Sequence, residues 1–460
     1  MKFIFENIGP LRRADIELGD ITVICGENNT GKTYAAYALY GFLKKVRKLS
    51  SPFVLEDADY KQLLGTGKLA YRYGTEKIAP LLGELFLDAG KDYETELADV
   101  LFPGLEKFSN ARVAVEFCED DFSARKRIGS TVHFNKDLSA MLQINVQKGV
   151  INVHLRSRDR KKDFPPDSAE LRVWVSNSIT GIFLKELFPD AFIASSMREG
   201  LTVFHDEISF AKDKLAGGEY VHSERAEAGG ATFGSYSMPL RHNLESLVRF
   251  ARARTVSLGS VVNEHPEILR DFWAILGGEY VTDDAGGVRF KPEGFESSLS
   301  LAESSASVRS LLITGLYLKF LANHGNILMV DEPESNLHPE NQRRMARLFV
   351  RLANAGVKVF ITTHSDYILK ELELLILLNR DVPRILAVRN RIGYDKGQLL
   401  KASQLKVYIA EAPGIHDGAA GSVFTRAEIS PESGVKTSGF DSAIDEMNSL
   451  FDEIAWGGGS

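Results

Sequence analysis

Apolar and polar positions follow three different rhythms along this chain, and each predicts a different kind of element. Short apolar runs stand at ITVIC (21–25), AFIAS (191–195), NILMV (326–330) and VKVFITT (357–363). Runs of this length bounded by turn residues read as strands buried on both faces. The last two alternate with helical-period segments at 307–321 and 339–355 and a further helix after VKVFITT, which predicts a parallel sheet covered on both sides. Period two governs a second region between 111 and 156, in RVAVEFC, STVHFN, MLQINV and VINVHLR, with a hairpin turn at Gln147-Lys148-Gly149. The opening KFIFENI, RRADIEL and ITVIC read as a strand meander turned at Gly9-Pro10 and Gly19-Asp20. Helical spacing predominates at about 33–46, 49–110 and 168–188 and resumes at Pro239, and a hairpin EYV…GGVRF turns at Asp284-Ala285-Gly286-Gly287.

These rhythms divide the chain into consecutive parts. Residues 1–48 carry the first apolar strands, 49–190 a helical and then β-rich insertion, and 191–297 a helical lobe. Within that lobe, 215–236 is rich in Gly, Ala and Ser and reads as a mobile surface loop. Residues 298–378 carry the later parallel strands, and 379–456 further strands and an amphipathic helix that close the sheet and offer a docking face. Gly457-Gly458-Gly459-Ser460 reads as an appended linker. No internal repeat and no long heptad segment is present.

Composition narrows the picture only a little. With 460 residues, 44% hydrophobic and 25% charged, the chain is long enough for two or three lobes with a large core. It holds no run of about 18 apolar residues and no signal-peptide layout, so the expectation is a cytoplasmic protein without a membrane span. Cys25 and Cys118, the two cysteines, are too few for a disulfide framework or a thiolate metal site. A net charge of -7 gives no global attraction to nucleic acid. Local basic clusters at Arg125-Lys126-Arg127, at Arg156, Arg158, Arg160, Lys161 and Lys162, and at Arg249, Arg252 and Arg254 leave two readings open, DNA contact or solvated surface.

Candidate chemistry sits behind the first apolar run. GENNTGKT (26–33) fits G-x-x-x-x-G-K-[ST], in the strand-loop-helix context that the motif requires. Its backbone N–H groups and the helix N-terminus cradle phosphates, with Gly26, Asn28, Asn29, Thr30 and Gly31 forming the loop. Lys32 reaches the β- and γ-phosphates, and Thr33 is a ligand for Mg²⁺. Far downstream, NILMVDEPESNLHP puts Asp331 at the carboxyl end of a buried strand, suited to hold Mg²⁺ through water, and Glu332 beside it to polarise the attacking water. VFITTHS brings His364 to the end of the next strand, within reach of the γ-phosphate or that water. ATP and Mg²⁺ are therefore the expected cofactors, and ATP hydrolysis the expected reaction.

Taken together, GENNTGKT, LAESSASVRS (301–310), VDEPESNLHP and TTHS resemble the ABC-type ATPase heads of the SMC/RecF/OLD branch, over about 1–45 and 298–366. The resemblance implies an α/β fold, a P-loop NTPase of ABC-ATPase head type, with a mixed or parallel core sheet, an antiparallel β lobe and a helical insertion. It implies a signature loop at Ser304, Ser305 and Ser307 that contacts the γ-phosphate bound by a second subunit, with Ser305 foremost; a helix N-cap is the other reading of these serines. This loop lacks the two glycines and the glutamine of the transporter form LSGGQ. The resemblance also implies a D-loop at Ser335-Asn336-Leu337-His338, with His338 where many members have Asp. Arg198, after FIASS, stands where OLD-like proteins end a strand in arginine; a nucleotide contact and a surface salt bridge are both open readings.

ATP would then join two heads, each supplying half of the other's site. The expected partner is a second copy, in a dimer or higher oligomer. Without arms and without a recognisable nuclease segment after residue 366, the chain resembles standalone ATPase subunits of anti-phage systems such as Septu and PARIS, which implies a separate nuclease or toxin as effector. The alternative is a RecF/SMC-like DNA repair ATPase acting directly on DNA. The departure from LSGGQ and the roughly 200-residue insertion argue against a transporter subunit, and the presence of Lys32, Asp331 and Glu332 against a non-hydrolysing scaffold.

Overall fold

The structure is a computed structural model that describes residues 1–49, 55–72, 75–102, 108, 110–116, 128–134, 140–147, 150–157, 169–203, 236–252, 257–283, 287–411, 414–416 and 419–436. The chain forms two compact units. One comprises Met1–Ile4, Phe42–Thr95 and Arg112–Asp190, the other Phe5–Gly41, Glu96–Ala111 and Ala191–Ser460.

The first unit is built on an antiparallel sheet in the order Lys68–Arg72, Val150–Ser157, Ala140–Gln147, Ile128–Phe134. Period two does here what the sequence predicts: Leu142, Ile144, Ile151, Val153 and Leu155 all turn inward. Tyr60 and Leu63 of the helix Asp57–Thr66 and Leu171, Val175, Ile179 and Ile182 of the helix Ala169–Leu187 complete that core. The strand Lys68–Arg72 interrupts a stretch expected to be mostly helical. Five residues between two helices are too few to show a period against the helical pattern on either side.

The second unit carries the large sheet. From Lys2–Ile8, whose residues from Phe5 belong to this unit, the order runs through Leu11–Glu17, Ala419–Arg426, Leu405–Ala410, Ile21–Gly26, Lys358–Thr363 and Ile327–Asp331 to Ala191–Ala194. Leu405–Ala410, Ile21–Gly26, Lys358–Thr363, Ile327–Asp331 and Ala191–Ala194 are mutually parallel. The expected meander is thus broken: the first two strands are neighbours, but two strands from near the end of the described chain separate them from Ile21–Gly26. Those strands were expected to close the sheet and instead join its two halves, Leu405–Ala410 parallel to Ile21–Gly26 and Ala419–Arg426 parallel to Leu11–Glu17.

The helices over this sheet follow the predicted positions. Pro339–Asn354 and Asp366–Leu377 bury Leu348, Phe349, Leu352, Leu372 and Leu375 in the same core as Val23, Val330 and Val359. The helix expected over 307–321 is α-helical over Ala306–Leu316 and widens to a π-helix over Tyr317–Leu321. Glu371, almost wholly buried, is held by Arg343 (2.7 Å) and the Tyr394 hydroxyl (2.7 Å), with Arg347 at 3.6 Å. Removing this carboxylate takes a buried partner from two guanidinium groups that keep Glu340 as their second (3.2 and 3.1 Å); Glu371→Ala is expected to lower stability by about 1–2 kcal/mol, below the range for fully buried pairs because Arg343 is partly in water and both arginines keep Glu340. Urea unfolding checks this, and a loss under about 0.5 kcal/mol would place the network among ordinary surface pairs.

The loop expected at 215–236 lies outside the described residues except for Tyr236, and so do the turn residues 148–149 and 284–286 and the C-terminal helix. Of the basic clusters, residues 125–127, 158, 160–162 and 254 also lie outside them.

Candidate functional site

Strand register sets the site. Cys25 pairs with Thr363, Thr362 with Asp331, and Gly26 with Ala410, so the carboxyl ends of four parallel strands lie level. Ligands of open α/β sheets bind beyond such an edge. Burial holds the Cys25 thiol in its neutral form, its pKa pushed up to about 12, which fits a packing role.

The loop after Ile21–Gly26 turns back tightly before the helix Lys32–Val46. Gly26 (φ 143°), Asn29 (φ 63°) and Gly31 (φ 84°) take positive φ. At Gly26 glycine is also a spatial necessity, since a Cβ would sit 2.4 Å from the Ala410 carbonyl oxygen. Thr30 donates its hydroxyl to the Glu27 carbonyl (2.9 Å) and closes the loop. No acidic residue occupies the first turn of the helix, whose free N–H groups and dipole favour an anion. Lys32 is buried and folded onto its own loop, donating to the carbonyls of Gly26 (3.0 Å) and Glu27 and to Thr30 Oγ1 (3.3 Å). Burial lowers its pKa to about 8, opposed by the charges of Glu332 and Asp331.

A cleft of about 480 Å³ opens over this loop, within the range of small-molecule sites. Asn28, Asn29, Thr30, Gly31, Lys32 and Thr33 line it from the loop, Glu332 and His364 from the neighbouring strand ends, and Pro10 and Tyr34 from its flank. His364 Nε2 stands 3.7 Å from Glu332 Oε1. Desolvation and the nearby Lys32 charge lower the His364 pKa, so the imidazole is neutral at pH 7.

Asp331 is fully buried at the back of this arrangement. Its Oδ1 accepts from the Thr33 hydroxyl (3.2 Å) and from the Thr362 hydroxyl. Its Oδ2 is buried without a hydrogen-bond partner among the described residues. Burial raises its pKa, opposed first by the Thr362 hydrogen bond. An orphaned carboxylate oxygen costs stability unless something binds there. A hydroxyl and a carboxylate suit Mg²⁺, which keeps most of its ligands as water and phosphate oxygens. The residues present therefore fit the metal, and no group of three or more metal-ligating side chains occurs among the described residues.

Glu332 departs from the strand with φ 54° and turns its side chain into the cleft. Glu334, two residues on, accepts from the His364 backbone N–H (2.6 Å) and the Thr363 hydroxyl (2.9 Å), which fixes the turn that carries His364. Sequence reasoning passed over Glu334, Thr362 and Thr363, although all three lie inside the quoted motifs. An acidic residue in a turn reads as surface, and only the pairing of the two strands reveals its partners.

The other expected site residues do not line this cleft. Ser305 caps the helix Ala306–Leu316, its hydroxyl accepting from the Val308 N–H (3.4 Å) and lying 2.8 Å from the Ser307 hydroxyl, with Ser305 itself exposed. Ser304 is buried and donates to the Ser300 carbonyl (2.7 Å). Asn336 (φ 61°) donates to Glu199 Oε2 (2.9 Å). His338 caps the helix Pro339–Asn354, its ring accepting from the Glu340 N–H. Arg198 is buried, not a surface salt bridge, and its guanidinium donates to backbone carbonyls.

The phosphate loop, the level strand ends and the acidic pair beside a histidine define a P-loop ATPase head of the ABC type. The profile of the AAA ATPase domain family matches residues 1–198 and 267–369, more than half of the chain, and the chain belongs to that family. No curated protein matches it. Among solved structures it is similar to an SMC head bound to the C-winged helix domain of ScpA, with 12% identity and a TM-score of 0.33 over 92% of this chain and 97% of that one. It is similar to the SMC head domain from Thermotoga maritima, with 12% identity and a TM-score of 0.30 over 93% and 98%. A further likeness is to an Smc head with an extended coiled coil bound to the C-terminal domain of ScpA derived from Pyrococcus furiosus, with 12% identity and a TM-score of 0.31 over 98% of each. At TM-scores of this size the likeness carries no argument. No helix among the described residues is long and apolar enough to cross a membrane.

Proposed function

We propose that this chain binds and hydrolyses ATP between two heads, and that the closing and opening of the pair controls a separate effector protein, a nuclease or toxin, in anti-phage defence or nucleic-acid surveillance. The observation that carries the paired-head reading is the split between the cleft and the serines. Lys32, Thr33, Glu332 and His364 surround one cavity, whereas Ser305 and Ser307 are presented together at the N-terminus of a helix and do not line it. The effector and its setting rest on the resemblance of the motifs.

In this reading Lys32 leaves the Gly26 and Glu27 carbonyls and takes phosphate oxygens in their place. Thr33 and Asp331 would hold Mg²⁺, which would supply positive charge against that of the phosphates. Glu332 accepts the proton of the attacking water. His364, neutral, donates one hydrogen bond and accepts another at the terminal phosphate or that water. Ser305 and Ser307 of the second chain complete the site.

Two inactive variants test the sharing. Lys32→Met spoils the cleft and leaves the serines; Ser305→Arg spoils the serines and leaves the cleft. Each alone is expected to lose at least 95% of ATP turnover, on the order of the effect of removing a group that stabilises transferring phosphate. Mixed, they form pairs holding one intact site, and turnover returns to roughly a quarter of the parental rate when the chains pair at random. Turnover that stays at the level of the separate variants would end the shared-site reading.

A further inference from the structure

Arg198 is 1% exposed and among the largest fully buried side chains, and it forms no ion pair among the described residues. A buried cation without a carboxylate partner is tolerated only when its donors are taken up by other polar groups. Four of its five N–H groups are satisfied by carbonyl oxygens. Nε donates to Ser310 (2.7 Å), Nη1 to Ser195 (2.9 Å) and Asp331 (2.6 Å), and Nη2 to Glu332 (2.9 Å). These carbonyls belong to three stretches far apart in the chain: the turn after Ala191–Ala194, the serine-capped helix Ala306–Leu316, and the end of the strand Ile327–Asp331. The neighbouring side chain extends the junction. Glu199 Oε1 accepts from Arg309 of the same capped helix (3.0 Å), and Oε2 accepts from Asn336 (2.9 Å).

Both residues at the far side of this junction hold a backbone conformation that side chains disfavour. Glu332 and Asn336 lie at φ 54° and 61°, and such residues persist where their surroundings fix them. Arg198 grips the carbonyl of the first, and Glu199 the side chain of the second. The Glu332 N–H is held from the other side by the Thr362 carbonyl (3.0 Å).

We propose that Arg198 and Glu199 are positioning residues for Glu332, a two-residue clamp that fixes the backbone of the water-polarising carboxylate against the serine-capped helix. The proposal rests on the reading of Glu332 given above. Arginine is needed because its planar fork serves four acceptors at once, whereas lysine has three donors on one nitrogen. Glutamate is needed at 199 because both of its oxygens accept. A glutamine offers one acceptor and one amide donor, and cannot take bonds from Arg309 and Asn336 together.

A double-mutant cycle on the full chain with ATP and Mg²⁺ tests the clamp. Glu199→Gln is expected to lower kcat about tenfold, as misplacement of a reacting group does, while the Kd for a fluorescent ATP analogue stays within about twofold. In a Glu332→Gln background the same substitution is expected to change the residual rate by less than about twofold, since no carboxylate remains to be placed. Arg198→Lys is expected to lower kcat about a hundredfold at unchanged Kd; if that variant does not fold, the Glu199 cycle decides alone. Parental kcat in Glu199→Gln, or the same fold-loss in both backgrounds, overturns the clamp. Parental turnover in Glu332→Gln alone overturns the role of Glu332 itself and is read separately from the result at Glu199.

Discussion

Glu332→Gln is expected to cut ATP turnover by about a hundredfold to ten-thousandfold and to leave ATP binding intact. The side chain is the carboxylate that faces the cleft beside His364, and it is over a third exposed, so the amide fits without repacking. In the proposed mechanism its loss removes the group that accepts the proton of water, but not Lys32, Thr33 or the loop that would hold phosphate. ATP that cannot be cleaved should keep two heads joined. A mass measurement with ATP is then expected to show the variant at twice the mass or more, while the parent returns to its starting mass as ATP is consumed. Parental turnover in this variant would remove Glu332 from the chemistry, and full loss of turnover without a change in mass would separate hydrolysis from pairing.

The second large effect concerns Asp331. Its carboxylate is buried, its Oδ2 has no hydrogen-bond partner among the described residues, and burial raises its pKa. Asp331→Asn keeps the Oδ1 acceptor for the Thr33 and Thr362 hydroxyls and removes the buried charge. The Tyr37 and Ser196 hydroxyls border this carboxylate. The variant without ligand is therefore expected to unfold about 1–2 °C above the parent, the shift that about 1 kcal/mol makes in a unit of roughly 320 residues. With Mg²⁺ and ATP at about 100 times the parental Kd, the parent gains about 2.7 kcal/mol and the variant nearly none. Thermal unfolding with and without Mg²⁺ and ATP checks both halves. A variant that melts lower than the parent without ligand, or keeps the full ATP shift, would show that this carboxylate is not an unsatisfied metal ligand.

The core strands were legible because a strand covered on both faces has no polar side to interrupt its apolar run. ITVIC, NILMV and VFITT gave their positions within a residue or two, and the residues just beyond them, Gly26, Asp331, Glu332 and His364, fall at the level edge that the pairing creates. Strand order was not legible in the same way. KVYIA carries the same kind of pattern whether it lies at the margin of a sheet or at its centre, and neighbours along the chain are neighbours in a sheet only about two times in three. Arg198 shows a further limit. Arginine after a strand is read from its charge, but here its partners are four main-chain carbonyls, which every sequence contains and no sequence advertises. Its neighbour Glu199 finds its partners in two side chains more than a hundred residues away, Arg309 and Asn336, which only the fold brings to it.

The place of Leu405–Ala410 between the first strand pair and the phosphate-loop strand bears on the order of events at the ribosome. Both strands that flank Ile21–Gly26 are made long after it, Lys358–Thr363 after more than 330 further residues and Leu405–Ala410 after nearly 380. At about 5–20 residues per second that interval lasts roughly 20–80 s. Through most of it, both sides of the phosphate-loop strand are open, apolar edges of the kind that pair with other chains. The strand that carries the phosphate loop is thus made hundreds of residues before the strands that cover its edges.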